Sequence, residues 1–144
     1  MLDLLFNKPR ETLTEAEAKK AKTAAAVVSL GPLIGTWDAC NKETRGLVRV
    51  VLSEKNGQLL VHAYGACTPT PCDWQQVQGL AYADSVNGGP AVAFTAYYSF
   101  GFKDTILTGV IDRGCLMVED YNTFKDGSGR ANYFDKGYFC KAHR

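Results

Sequence analysis

The stretch ACTPTPCDW, residues 66–74, sets Cys67 and Cys72 five positions apart across Pro69 and Pro71 and closes on Asp73 and Trp74. Each proline restricts the residue before it to extended backbone. The two sulfurs therefore sit on a stiff connection that suits a disulfide clip, half of a metal site or the rim of a pocket. As a clip, so short a loop would stabilise the fold by about 2 kcal/mol in the chain-entropy picture. As a redox centre it lacks C-x-x-C spacing and a basic neighbour to lower a thiol pKa, so catalysis by these thiols is not expected. Cys67 and Cys72 could be combined with Cys140 and His143 into three thiolates and an imidazole, a set zinc accepts. The two halves are far apart in the chain. A haem would need an axial histidine, and only His62 and His143 exist. Neither is adopted: the expectation is no metal and no cofactor.

Around EKNG, alternation places Val48, Val50, Leu52, Leu59, Val61 and Ala63 on one face, with Arg49, Val51, Leu60, His62 and Tyr64 on the other. Two placements fit. Either the dry face is the core and Arg49 and His62 are solvated outside, or it packs beneath a helix and Arg49, His62 and Tyr64 point into a polar cavity. A glycine bulge at Gly57 would reverse the parity. Around DRG, Thr108, Glu119 and Tyr121 share a face with Met117 and Val110, while Asp120 and Asn122 share the other with Leu116 and Val118. An inward Glu119 would need a partner or a wet interior; an outward one would not. Seven tyrosines, Tyr97 and Tyr98 adjacent among them, could line a pocket for planar or polar-headed ligands. Strand propensity accounts for them equally.

The elements that would position these residues change character at Gly35. Before it, TLTEAEAKKAKTAAAVVSL opens with Thr14 three residues ahead of Glu17, a capping-box spacing. Alanine dominates, and Gly31 and Pro32 can stop a helix. One helix is expected at about 14–29. From Gly35 on, the period is two and turn residues recur at sandwich-or-barrel spacing. Eight strands are expected near 35–40, 46–53, 58–65, 75–84, 91–100, 104–112, 115–124 and 131–141. Several of their connections are short enough only for neighbouring antiparallel strands. Such a meander loses its exposed edges by closing. The expected fold is therefore mainly β, an eight-stranded antiparallel up-and-down barrel preceded by one N-terminal α-helix. Residues 1–33 would be tail and helix, and residues 34–144 the barrel domain.

Gly35, Thr36 and Trp37 resemble the G-x-W that opens the first barrel strand in the calycin superfamily of lipocalins, fatty-acid-binding proteins and avidins. The resemblance implies that Trp37 closes the barrel floor beneath an arginine, for which Arg130 and Arg144 are the choices. It implies an architecture and no particular ligand. TRGLVRV, VHAYGACTPTPCDW and DGSGR are also similar to small uncharacterised bacterial barrel proteins, which implies no function.

Sixteen basic and fifteen acidic side chains leave a net charge of +1. No basic run interleaves with aromatics, so nucleic acid is not an expected partner. The apolar stretch AAAVVSLGPLIG is interrupted by Gly31 and Pro32 and falls short of the roughly 20 residues a membrane crossing needs. The N-terminal MLDLLFNKPRE lacks a secretory apolar run. Those features lead to the expectation of a soluble, cytoplasmic protein with reduced thiols. The function expected is binding of a small hydrophobic or aromatic ligand by Arg49, His62, Tyr64, Trp74, Tyr98 and Glu119. The alternatives are an interaction or self-assembling module with a solid core, forming a homo-oligomer, or a cyclase or isomerase using His62 or Glu119.

Overall fold

The computed structural model describes residues 26–143. A two-residue strand, β1 (Val28–Ser29), leads into eight consecutive strands that form a closed antiparallel barrel: β2 (Gly35–Ala39), β3 (Leu47–Lys55), β4 (Gln58–Gly65), β5 (Cys72–Ala83), β6 (Gly89–Ser99), β7 (Lys103–Asp112), β8 (Cys115–Phe124) and β9 (Tyr133–Lys141). From β2 on, each pairs with the next, and β2 pairs with β9 to complete the ring. Outside the ring, β1 runs parallel to the start of β6. Most of the helix expected at about 14–29 lies outside the described residues. Its last part is extended, because Val28 and Ser29 pair with Gly89 and Pro90.

Two tight hairpins follow from their turn residues. Asn56 and Gly57, and again Arg113 and Gly114, have positive φ, the requirement of the primed two-residue turns that match strand twist. Gly57 thus sits in the turn and no bulge shifts the parity there. Val50, Leu52, Leu59, Val61 and Ala63 are all buried, so the dry face of this hairpin is the barrel core. A bulge between Leu47 and Arg49 turns Leu47 inward in place of Val48.

One end of the barrel is closed. A 3-10 turn at Gly31–Leu33 crosses beneath it, with Leu33 fully buried. The Trp37 indole N–H donates to the Leu33 carbonyl at 2.9 Å. The cation over the Trp37 ring is Lys141, at 5.5 Å from the centroid. A Cβ on Gly35 would collide with that lysine side chain, so the glycine of G-x-W makes room for it. Arg130, expected over Trp37, is elsewhere: it pairs with Asp126 and stacks at 4.1 Å on Phe124. Arg144 lies outside the described residues. Above this floor, Phe94, Leu107, Leu116, Val118 and Phe139 fill the interior, and the Phe94 ring lies where a Cβ on Gly109 would be.

Four of the five cysteines are paired, which overturns the expectation of reduced thiols. Cys67 is bonded to Cys72 within the proline loop. Cys40 is bonded to Cys140, at a Cα separation of 5.6 Å, joining the ends of β2 and β9 where the barrel closes. The remaining thiol, Cys115, lies with its sulfur within 4.8 Å of Cys40 and Cys140. The zinc set of Cys67, Cys72, Cys140 and His143 is excluded by these pairings. No helix among the described residues is long and apolar enough to cross a membrane.

Candidate functional site

The interior changes from dry to polar toward the open end. On β7 and β8 the inward positions run from Leu107, Leu116 and Val118 to Thr105, Asp120, Asn122 and Lys103, all buried. Asn122 organises these groups. Its amide oxygen accepts from Lys103 Nζ at 2.9 Å and from Thr105 Oγ1 at 2.7 Å. Its amide nitrogen donates to Asp120 Oδ2 at 2.8 Å. Asp120 is only 5% exposed. Burial above all, with the Asp135 charge adding to it, holds its carboxyl above the usual carboxylate range against the opposing Asn122 hydrogen bond and Lys103 charge. Burial likewise lowers the Lys103 ammonium, Arg130 pushing the same way and Asp120 opposing.

Around this cluster stand aromatic rings. Lys103 Nζ lies 4.7 Å from the Trp74 centroid and also faces Phe100, Phe102 and Tyr133. Beside them the barrel opens into a recess of about 450 Å³, lined by Leu47, Trp74, Asp120, Tyr133, Asp135 and the Cys67–Cys72 loop, among others. The residues that bound it come from β3, β4, β5, β8 and β9 and from two connections, so no single motif could have announced it.

Trp74 reaches this position through a bulge. Val77 and Gly79 oppose Val61 and Leu59 on the inner face, so strict alternation would send Trp74 outward with Gln76 and Gln78. The register shift between His62 and Tyr64 and the positive φ of Gln75 reverse it. Asp73 holds the bulge from outside, accepting the Gln75 N–H at 2.7 Å and pairing with His62 Nε2. Those two bonds, the Gln75 one foremost, lower the Asp73 carboxyl. From inside, Tyr98 fills the gap in the ladder. Its hydroxyl accepts the Ala63 N–H at 3.1 Å and lies 2.8 Å from the Gln75 carbonyl, to which it donates. Burial pushes the Tyr98 phenol up to about 12.

Of the six side chains expected to contact a ligand, only Trp74 lines the recess. Tyr98 is buried beside it, edge-on to Trp74 with centroids 5.4 Å apart, and its hydroxyl is committed to backbone. Arg49, His62, Tyr64 and Glu119 project from the outer wall: Arg49 pairs with Asp38 at 2.7 Å, His62 stacks on Tyr64, and Glu119 accepts from the Tyr121 hydroxyl at 3.3 Å. They are corrected from cavity contacts to surface groups, because the apolar residues alternating with them fill the core. Sequence reasoning misses Lys103, Thr105, Asp120, Asn122, Tyr133 and Asp135 as site residues. A signal exists for Asp120 and Asn122, which share a strand face with Leu116 and Val118.

A scan against protein-family models, a search of curated proteins and a search of solved structures each returned no match.

Proposed function

We propose that this protein binds a small molecule at the open mouth of its barrel, with Trp74 and Tyr133 as the walls and Asp120 as the polar floor. The supporting observation is the combination of a floor closed by Leu33 and Trp37 with buried charged groups beside an open recess at the other end. A carboxylate and an ammonium removed from water are expensive to maintain in a domain that could fill the space with apolar side chains, and binding gives them a use. The closing turn beneath Trp37 also supports a calycin-like architecture, with Lys141 in place of the arginine. The two disulfides suit an oxidising compartment better than a reducing one.

Native mass spectrometry of protein purified without denaturation tests the reading, together with a thermal-shift ligand screen. The expected result is a retained or stabilising small molecule whose effect is lost in Trp74→Ala. No retained mass and no stabilising compound would overturn it.

A second reading rests on the outer wall. Tyr97, Ile106, Tyr121 and Phe134 lie opposite one another on β6, β7, β8 and β9, forming a row across four strands. All four are exposed, Phe134 to 51%. An apolar stripe of this kind marks an association surface. Sedimentation of the intact chain distinguishes the two: self-association abolished by Ile106→Lys would favour this second reading.

A further inference from the structure

We infer that the molecule held at the mouth is a small organic cation, an amine with an aromatic or aliphatic body, gripped between the carboxylates of Asp120 and Asp135; this rests on the small-molecule reading above. The two residues are direct partners on β8 and β9, and both line the recess. Like charges directly opposed across a sheet destabilise it, the more so when one of them is almost fully buried. Lys103 offsets the Asp120 charge through space, but no cation bonds to either carboxylate among the described residues. Among the described residues Asp120 accepts a single side-chain hydrogen bond, from the neutral Asn122 amide. Asp135 has neither an ion pair nor a side-chain hydrogen bond among the described residues.

Of the nearby cations, Lys103 and Arg130 are engaged elsewhere. Lys103 gives its hydrogen bond to Asn122 and lies over Trp74, forming no ion pair within 4.0 Å among the described residues. Arg130 is paired with Asp126 at 2.9 Å and stacked on Phe124. Arg45, at the recess rim, is exposed and without an ion-pair partner among the described residues. The pair therefore faces the recess with its remaining lone pairs free. An ammonium there would donate hydrogen bonds to both carboxylates and relieve their repulsion, while the Trp74 and Tyr133 rings, which Lys103 already faces, would pack against its apolar body. An anion would meet two carboxylates, and a neutral body would leave the repulsion in place.

Three probes of one shape separate these cases: 2-phenylethylamine, 2-phenylethanol and 3-phenylpropanoate, titrated calorimetrically into the intact chain at neutral pH. The amine is expected to bind best, and Asp135→Asn to weaken it by about tenfold, the equivalent of one modest ionic contact. The same variant should raise the melting temperature of the unliganded protein, since it removes a like-charge pair, whereas a merely structural Asp135 would lower it. If the alcohol or the carboxylate binds as tightly as the amine, and equally to wild type and Asp135→Asn, the cation inference is overturned while the small-molecule reading stands. A neutral or anionic molecule retained by the purified protein overturns it in the same way. If none of the three probes binds and nothing is retained, both fail.

Discussion

Tyr98 shows how one hydroxyl can serve a site it never touches. The bulge in β5 that turns Trp74 into the mouth leaves the Ala63 N–H and the Gln75 carbonyl without ladder partners, and the Tyr98 hydroxyl serves both. Tyr98→Phe keeps the ring against Trp74 and strands the buried Ala63 N–H and the part-buried Gln75 carbonyl, so it is expected to cost about 1–3 kcal/mol. Urea denaturation measures the loss, and near-ultraviolet dichroism reports whether Trp74 moves. An unchanged midpoint would show that water replaces the hydroxyl. His62 has a comparable supporting task on the outer wall, where it pairs with the Asp73 carboxylate that holds the Gln75 N–H.

At the scale of elements, two disulfides constrain different things. Cys67–Cys72 spans five positions and fixes the loop that rims the recess; Cys40–Cys140 spans 100 and ties the first barrel strand to the last. Loop-closure entropy predicts about 2 kcal/mol for the short ring and between 4 and 5, roughly, for the long one. A paired substitution Cys40→Ser with Cys140→Ser is therefore expected to lower the unfolding midpoint more than Cys67→Ser with Cys72→Ser. The short ring should matter more for the mouth: its removal frees the rim while leaving the closed floor under Trp37 unaffected. Equal destabilisation by the two pairs would show that strand pairing between β2 and β9 already restrains the chain ends without the bond.

For the whole molecule, the barrel divides its titrating groups by location, and stability should follow. Asp73, Asp104 and Asp126 are all lowered from the ordinary 3.8, chiefly by hydrogen bonds to Gln75, Lys125 and Ser128 respectively. Groups with depressed values contribute stability above 3.8 that is lost as pH falls through their folded values. Asp120 is raised, so its effect has the opposite sign: stability is gained as pH falls from neutrality through its folded value toward 3.8. The expected profile rises gently on mild acidification and then drops below about pH 4. Asp120→Asn should flatten the rise and keep the drop. A wild-type profile that falls monotonically from neutral pH would show that Asp120 is not perturbed by its burial.

How much of this could be read from the chain follows from which interactions are local. The strand positions from Gly35 on, the Asn56-Gly57 turn and the dry face of Val50, Leu52, Leu59, Val61 and Ala63 depend on alternation and turn chemistry within a few residues, so they were legible. Closure of the meander was legible too, since eight consecutive strands with short connections have few other ways to remove their edges. The parity of Trp74 was not, because one extra residue held at positive φ by Asp73 inverts it, and that clamp comes from a side chain and its partner on β4. The facing of Asp120 and Asp135, the joining of Cys40 to Cys140 and the choice of Lys141 over Trp37 bring together residues from different strands. Sequence alone determined which residues alternate; only the closed tertiary structure decided which of them meet, because barrel register is set by hydrogen bonds between strands and by bulges that a one-residue pattern cannot foretell.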